Sequence, residues 1–239
     1  MKIKLIQNIL DKIRGKCKSS IIVDNGCNNQ INIHNSRKNK SSIIVTVNGN
    51  NNSIIIEDLN EKSYGKINIS IFGDNNSIVI NKNLLVAINL NITIGQKHEF
   101  HGKVKKVYCS LGSNIRIEDA CITTYNSNNK IVIGDDCMIS LKAIFYNTDG
   151  HPIYDKETNN LVNYVNDMII GNNCWIGYNA TILKGVKLSD GTIVGWGAVV
   201  SKSIDEKFCA IAGNPAKIVK HKLAWSKGGD NNYIENKRL

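Results

Sequence analysis

The chain has 239 residues, 42% of them hydrophobic and 21% charged, so it is long and apolar enough to bury a sizeable core, and a disordered chain is excluded. Its formal charge of +10 favours an anionic partner, but with 6% aromatic residues and no zinc-finger spacing, RNP-like motif or long basic run, nucleic acid is set aside. No apolar run approaches the ~20 residues of a bilayer span, and the first 18 residues spread their apolar side chains among Lys, Gln and Asp, so the expectation is a cytoplasmic protein with at most peripheral membrane association.

In chain order, residues 1–18 place Ile6, Ile9 or Leu10, and Ile13 at helical spacing among six Lys/Arg and one Asp. This predicts a helix that caps the open end of the next element, or lies on a membrane surface. From residue 19 the chain returns to short Ile/Val runs behind asparagine-rich corners: "CNNQINI" (27–33), "NGNNNSIII" (48–56), "GDNNSIVI" (73–80) and "NNKIVI" (128–133). The steady return of aliphatics predicts stacked coils with asparagine turns or ladders in place of an aggregation-prone tract.

The period becomes explicit downstream. Stepping by six from Ile170 gives Ile176, Ile182, Leu188, Val194 and Val200. Four residues beyond successive members stand Cys174, Ala180, Val186, Thr192 and Ala198, all small or β-branched. Six fits neither the 3.6 of a helix nor simple alternation. It fits a triangular coil with one inward aliphatic per side and tight turns at the corners. The fold class expected is therefore all-β, a parallel β-helix of hexapeptide coils. Upstream, Ile133, Ile139 and Phe145 extend the ladder, and "IGDDC" (133–137) echoes "IGNNC" (170–174) at a separation of 37. One coil of 18 leaves a surplus of 19, about the length of 148–166, so an ejected loop is expected there. Past Val200 the chain reads as a last strand, a Gly-Asn-Pro turn and, from Ala216, a basic tail or short helix. The expected organisation is 1–18 cap, 19–215 β-helix, 216–239 tail. The seven cysteines (Cys17, Cys27, Cys109, Cys121, Cys137, Cys174, Cys209) show no CxxC spacing and are expected as free, mostly buried thiols without chemistry.

The loop carries "NTDGHPIY" (147–154), followed by "IIGNNCWIGYNATILKGV" (169–186), "GAVVSKS" (197–203) and "AIAGNPAKIVK" (210–220). In order and spacing these four motifs resemble the hexapeptide-repeat O-acetyltransferases of the maltose/galactoside/xenobiotic branch. The resemblance covers Ile131 to Lys227, about 40% of the chain. Within that branch the chain is most similar to the bacterial capsule sialic-acid O-acetyltransferases, which share the histidine loop, a tryptophan 24 residues after the histidine, and a W-x-K ending like Trp225-Ser226-Lys227.

The resemblance implies a left-handed helix, a homotrimer with clefts between subunits, and acetyl-CoA as cosubstrate without a metal. It also implies an acidic glycan acceptor. His151 suits a general base, because a sugar hydroxyl is a poor nucleophile until it loses its proton and imidazole titrates near neutral pH. Asp149 or a loop carbonyl is the expected orienting partner. Trp175 falls beside the thioester, where its indole N–H could donate to the carbonyl, or else it packs at the trimer interface. By the same resemblance Tyr178, Trp196, Ser201 and Lys202 fall where the family contacts coenzyme A, and Lys217 and Lys220 where basic residues meet phosphates. The sialate-specific relatives carry tyrosine where this chain has Ser201, a departure that bears on the gating of the acetyl site. Three alternatives stand beside this reading. A γ-type carbonic anhydrase needs three converging histidines, a cluster that His34, His98, His101, His151 and His221 do not form on the ladder. A non-enzymatic β-helix leaves His151, Trp175 and "AGNPAK" unexplained, and a xenobiotic acetyltransferase leaves the long N-terminal coils without a use.

Overall fold

The computed structural model describes residues 20–34, 39–96 and 102–228. The expected cap at 1–18 lies outside them. Apart from the final strand and one minor loop bridge, the strand pairs are parallel, and the chain winds into a β-helix.

Inward aliphatics stacked coil upon coil form the core. One line of paired residues runs Val45, Ile69, Ile92, Ile122, Phe145, Ile182 and Val200, each at most 1% exposed. A second runs Ile56, Ile80, Leu111, Ile133, Ile170 and Leu188. Burying each such side chain is worth about 1.5–3 kcal/mol, so the stack is the main source of cohesion.

The downstream coils have the predicted step. Trp175 pairs Ile193 and Thr181 pairs Val199, both 18 apart, whereas Met138 pairs Trp175 at 37, which confirms the ejected loop. Upstream the step differs: Ile21 pairs Ile44 and Ile43 pairs Ile67, offsets of 23 and 24. There a single long strand such as Lys66–Asp74 alternates buried and half-buried side chains with period two. The two regimes meet at Arg116–Thr124. Its first residues pair Met138–Ile139 and its later ones pair Ala143–Tyr146. One long upstream strand thus becomes two short sides separated by a corner, where Lys142 takes a positive φ of 59°.

Asparagine builds the corners in two ways. Asn28, Asn51, Asn75, Asn128, Asn173 and Asn179 adopt φ between 53° and 58°, which this residue tolerates better than most. Others form an internal ladder. Asn52 Nδ2 donates to Asn29 Oδ1 at 3.1 Å, Asn76 Nδ2 donates to Asn52 Oδ1 at 3.1 Å, and Val107 N donates to Asn76 Oδ1 at 3.0 Å. Asn52 and Asn76 are each 1% exposed.

The C-terminal segment differs from expectation. Ala216 begins a strand, Ala216–Lys220, that pairs antiparallel with Ala210–Gly213 across a cis Asn214–Pro215 bond, and residues 216–228 contain no helix. The β-branched Ile218 and Val219 favour this, and the strand covers the hydrogen-bonding edge of the last coil. Among the described residues Cys109, Cys137, Cys174 and Cys209 are buried free thiols, while Cys27 is exposed. Burial pushes Cys109 up to about 12, which keeps it an inert thiol at neutral pH.

Truncating Asn76 to Ala should leave the Val107 N–H unsatisfied inside the stack and remove the side-chain donor to Asn52 Oδ1 and the Val104 carbonyl. The expected loss is about 1–3 kcal/mol, against at most about 0.5 kcal/mol for Asn25→Ala, whose amide bonds Asn48 at the surface. Chemical denaturation of the two variants side by side measures both.

Candidate active site

The loop leaves the coils at a sealed stem. Asn147 is fully buried. Its Nδ2 donates to Asn129 Oδ1 and to the Asn166 carbonyl, both at 3.2 Å, and its Oδ1 accepts from Gly185 N at 3.0 Å. Both ends of the loop are therefore fixed to a coil that closes behind it.

Above the stem, Asn163 and Lys184 shape the segment that carries His151. Asn163 Nδ2 donates to Asp149 Oδ2 at 2.8 Å and to the His151 carbonyl at 2.9 Å, and its Oδ1 accepts from Ile153 N at 2.8 Å. Lys184 Nζ forms an ion pair with Asp149 and donates to the Asn163 carbonyl at 3.1 Å. Asp149 is thus engaged by Lys184 and Asn163. His151 opens on a cleft of about 260 Å³, with Tyr125 and Asn126 from the coil beneath on one side and Leu161 and Val165 of the loop on the other. Tyr125 meets Tyr146 edge to face, with centroids 6.1 Å apart. Burial, followed by the neighbouring Tyr146, holds the Tyr125 phenol above its ordinary pKa, so it stands as a neutral hydrogen-bonding group.

Trp175 stands at a different corner of the prism, at the far end of the side that Met168–Ile170 forms. Five or six residues at ~3.3 Å each make that side roughly 15–20 Å long, too far for one acetyl group to touch both corners. The indole Nε1 donates to Ser140 Oγ at 3.1 Å, its ring lies 6.1 Å from that of Trp225, and the residue is 37% exposed. The third corner carries an aromatic stack: Tyr178 and Trp196 lie 4.4 Å apart with Lys142 Nζ 5.7 Å from the Tyr178 ring, and Trp196 is 76% exposed.

The remaining expected residues divide between these places. Ser201 and Lys202 are exposed and follow Val199–Val200, which stacks over Thr181–Leu183, so they sit at the His151 corner above Lys184. Lys217 and Lys220 are exposed on the final antiparallel strand. One chain therefore gathers His151, Lys184, Ser201 and Lys202 at one corner, and holds Tyr178 with Trp196 at another and Trp175 at the third. Asn163, Lys184, Ser140 and Tyr125 carry no sequence signal, because polar contacts between residues 14 to 35 apart repeat with no period. Among the described residues no three His, Cys, Asp or Glu side chains cluster as metal ligands.

Comparison with known proteins bears on the whole chain. Residues 168–202 match the hexapeptide repeat of succinyl-transferase. The chain is 36% identical to the polysialic acid O-acetyltransferase of Neisseria meningitidis over 212 residues, covering 85% of this chain and 88% of that one. It is 37% identical to the polysialic acid O-acetyltransferase of Escherichia coli O1:K1 over 97 residues, which span 41% of this chain and 31% of that protein. The crystal structure of the polySia-specific acetyltransferase NeuO superposes with a TM-score of 0.75 at 30% identity, over 92% of this chain and 94% of that one. The N-terminal coils, legible in sequence only as a style, are thus part of the shared fold. With its left-handed parallel β-helix, its hexapeptide coils and this likeness over most of its length, the chain belongs to the polysialic acid O-acetyltransferase family.

Proposed function

We propose that this chain transfers acetyl from acetyl-CoA to a hydroxyl of sialic acid in a bacterial capsular polysaccharide. The observation that carries the reading is the likeness to a polysialic acid O-acetyltransferase over 85% of the chain, N-terminal coils included. A small drug acceptor needs no such coils. His151, held at the mouth of the cleft, takes the proton from the acceptor hydroxyl as its oxygen attacks the thioester carbonyl. The new C–O bond forms, the C–S bond breaks, and the proton passes from the imidazolium to the departing coenzyme A thiolate. Asn163 and Lys184 hold the His151 segment in place. Trp175 supplies an N–H toward the thioester carbonyl, exchanging its bond to Ser140. Tyr178 and Trp196 offer an aromatic surface to coenzyme A, Ser201 and Lys202 flank its entry, and Lys217 and Lys220 provide cations for its phosphates.

Groups assigned to one reaction occupy separate corners of a rigid prism, which supports a homotrimer in which neighbouring copies complete each other's sites. Because acetyl-CoA is the donor, the reaction is assigned to the cytoplasm, with the basic surface drawing the anionic glycan toward the enzyme.

His151→Ala should abolish transfer while leaving coenzyme A affinity nearly unchanged, since the base acts mainly on the transition state. Activity within about tenfold of the parent would remove His151 as the base. Asn163→Ala should lower kcat by roughly tenfold or more with the KM for acetyl-CoA unchanged, because a small misplacement of the base suffices to slow the reaction. If the site is shared between copies, refolding an equal mixture of His151→Ala and Trp175→Ala chains should restore about a quarter of the sites. Inactive mixed trimers would place both residues in one subunit's site. For the acceptor, kcat/KM at saturating acetyl-CoA should fall several-fold for a sialic acid polymer between low and high salt, and stay level for a neutral polysaccharide or chloramphenicol. Efficient, salt-insensitive acetylation of a neutral acceptor with none of the polymer would overturn the sialic acid reading.

A further inference from the structure

Neither the coils nor the proposed chemistry uses the Trp225-Ser226-Lys227 ending. After Lys220 the chain turns back along the Trp175 corner, running against the order in which the coils are stacked. Leu223 N donates to the Phe208 carbonyl at 2.6 Å, Trp225 Nε1 to the Asn173 carbonyl at 2.7 Å, and Lys227 Nζ to the Asn114 carbonyl at 2.6 Å, with the Asp136 carboxylate 3.9 Å away. These acceptors span five stacked levels of one corner, so the strap is fixed at its top, middle and lower end. Trp225 is 8% exposed and its indole lies tilted by 40° against that of Trp175. Asn173, two residues before Trp175, takes φ 53°, and its carbonyl is the one that Trp225 holds. Trp175 is therefore fixed through its backbone on one side and its ring face on another, while its N–H rests on Ser140 and 37% of the residue is exposed.

We infer that Trp225 is a positioning residue for acetyl transfer: the strap from Leu223 to Lys227 sets the orientation of the Trp175 indole and walls one side of the acetyl-donor site. The inference rests on the proposed role of Trp175. Lys227 serves as the lower tether. Burial, only partly offset by Asp136, holds its pKa below the ordinary lysine value.

The test is steady-state kinetics on the full chain with acetyl-CoA varied at saturating sialic acid polymer, then with the polymer varied. Trp225→Ala should lower kcat/KM for acetyl-CoA by roughly tenfold or more and leave the KM for the polymer unchanged, whereas Trp225→Phe, which keeps the ring wall, should stay within about threefold of the parent. The double variant Trp175→Ala/Trp225→Ala should be no slower than Trp175→Ala alone, because the strap acts through that indole. Parent-like kinetics of a folded Trp225→Ala, or fully additive losses in the double variant, would overturn the strap's role while leaving Trp175 in place. A harmless Trp175→Ala would overturn both readings. Should Trp225→Ala fail to fold, Lys227→Met keeps both indoles and removes the tether: a loss of about threefold or more in the same parameter supports the inference, and full activity overturns it.

Discussion

Everything in this molecule hangs on register. Each inward Ile or Val stacks on its counterpart one coil away, and each main-chain N–H on one level finds its carbonyl on the next. A single surplus residue is taken up only at a local bulge, as where Leu85–Ile94 carries one residue more than Arg116–Thr124, because elsewhere the side-chain period along a strand is two and a slip turns every core residue outward. Longer surplus has to leave the prism. The loop at 148–166 is that departure. The sealing of its stem by Asn147, a polar residue with no exposure and several hydrogen bonds, shows how the coil closes behind it without leaving buried polar groups unpaired.

The same constraint sets the candidate site residues apart. Corners are the places on the prism where backbone and side chains escape the stack, and there are three. His151 with Lys184, Trp175 with Trp225, and Tyr178 with Trp196 occupy one each. A rigid three-cornered rod cannot bend these together, and the proposed homotrimer is the arrangement that would bring them into one site. Rigidity also explains the quality of the positioning: groups set on stacked corners inherit the low freedom of the coils beneath them.

What can be read from the sequence depends on period. The run Ile170 to Val200 repeats without interruption, so the downstream coils, their step of 18 and the loop's surplus of 19 are all legible in the order of residues alone. Upstream, the long strands alternate with period two and the corners vary in length, so the step of 23 to 24 cannot be counted. The basic C-terminal segment looks helical or free because its lysines hide the β-branched pair Ile218 and Val219 and the edge they cover. At the site, His151 stands out by interrupting a regular pattern. Asn163, Lys184 and Ser140 do not, since nothing in a polar residue marks which distant partner it will meet, and Trp225 is recognisable as part of an ending without any sign that it lies against Trp175.

The sealed stem has a consequence for how such a chain can diversify. Because Asn147, Asn166 and Gly185 close the coil wall behind the loop, the strands above and below depend little on how long the excursion is, and Lys184, through Asp149 and Asn163, is what ties its content to the coil. The loop behaves as an exchangeable cassette, and the wall of the cleft made by Leu161 and Val165 travels with it. Acceptor preference can therefore drift by rewriting a stretch of about twenty residues, while the corners that hold Trp175 and Trp196 stay under the separate discipline of the stack.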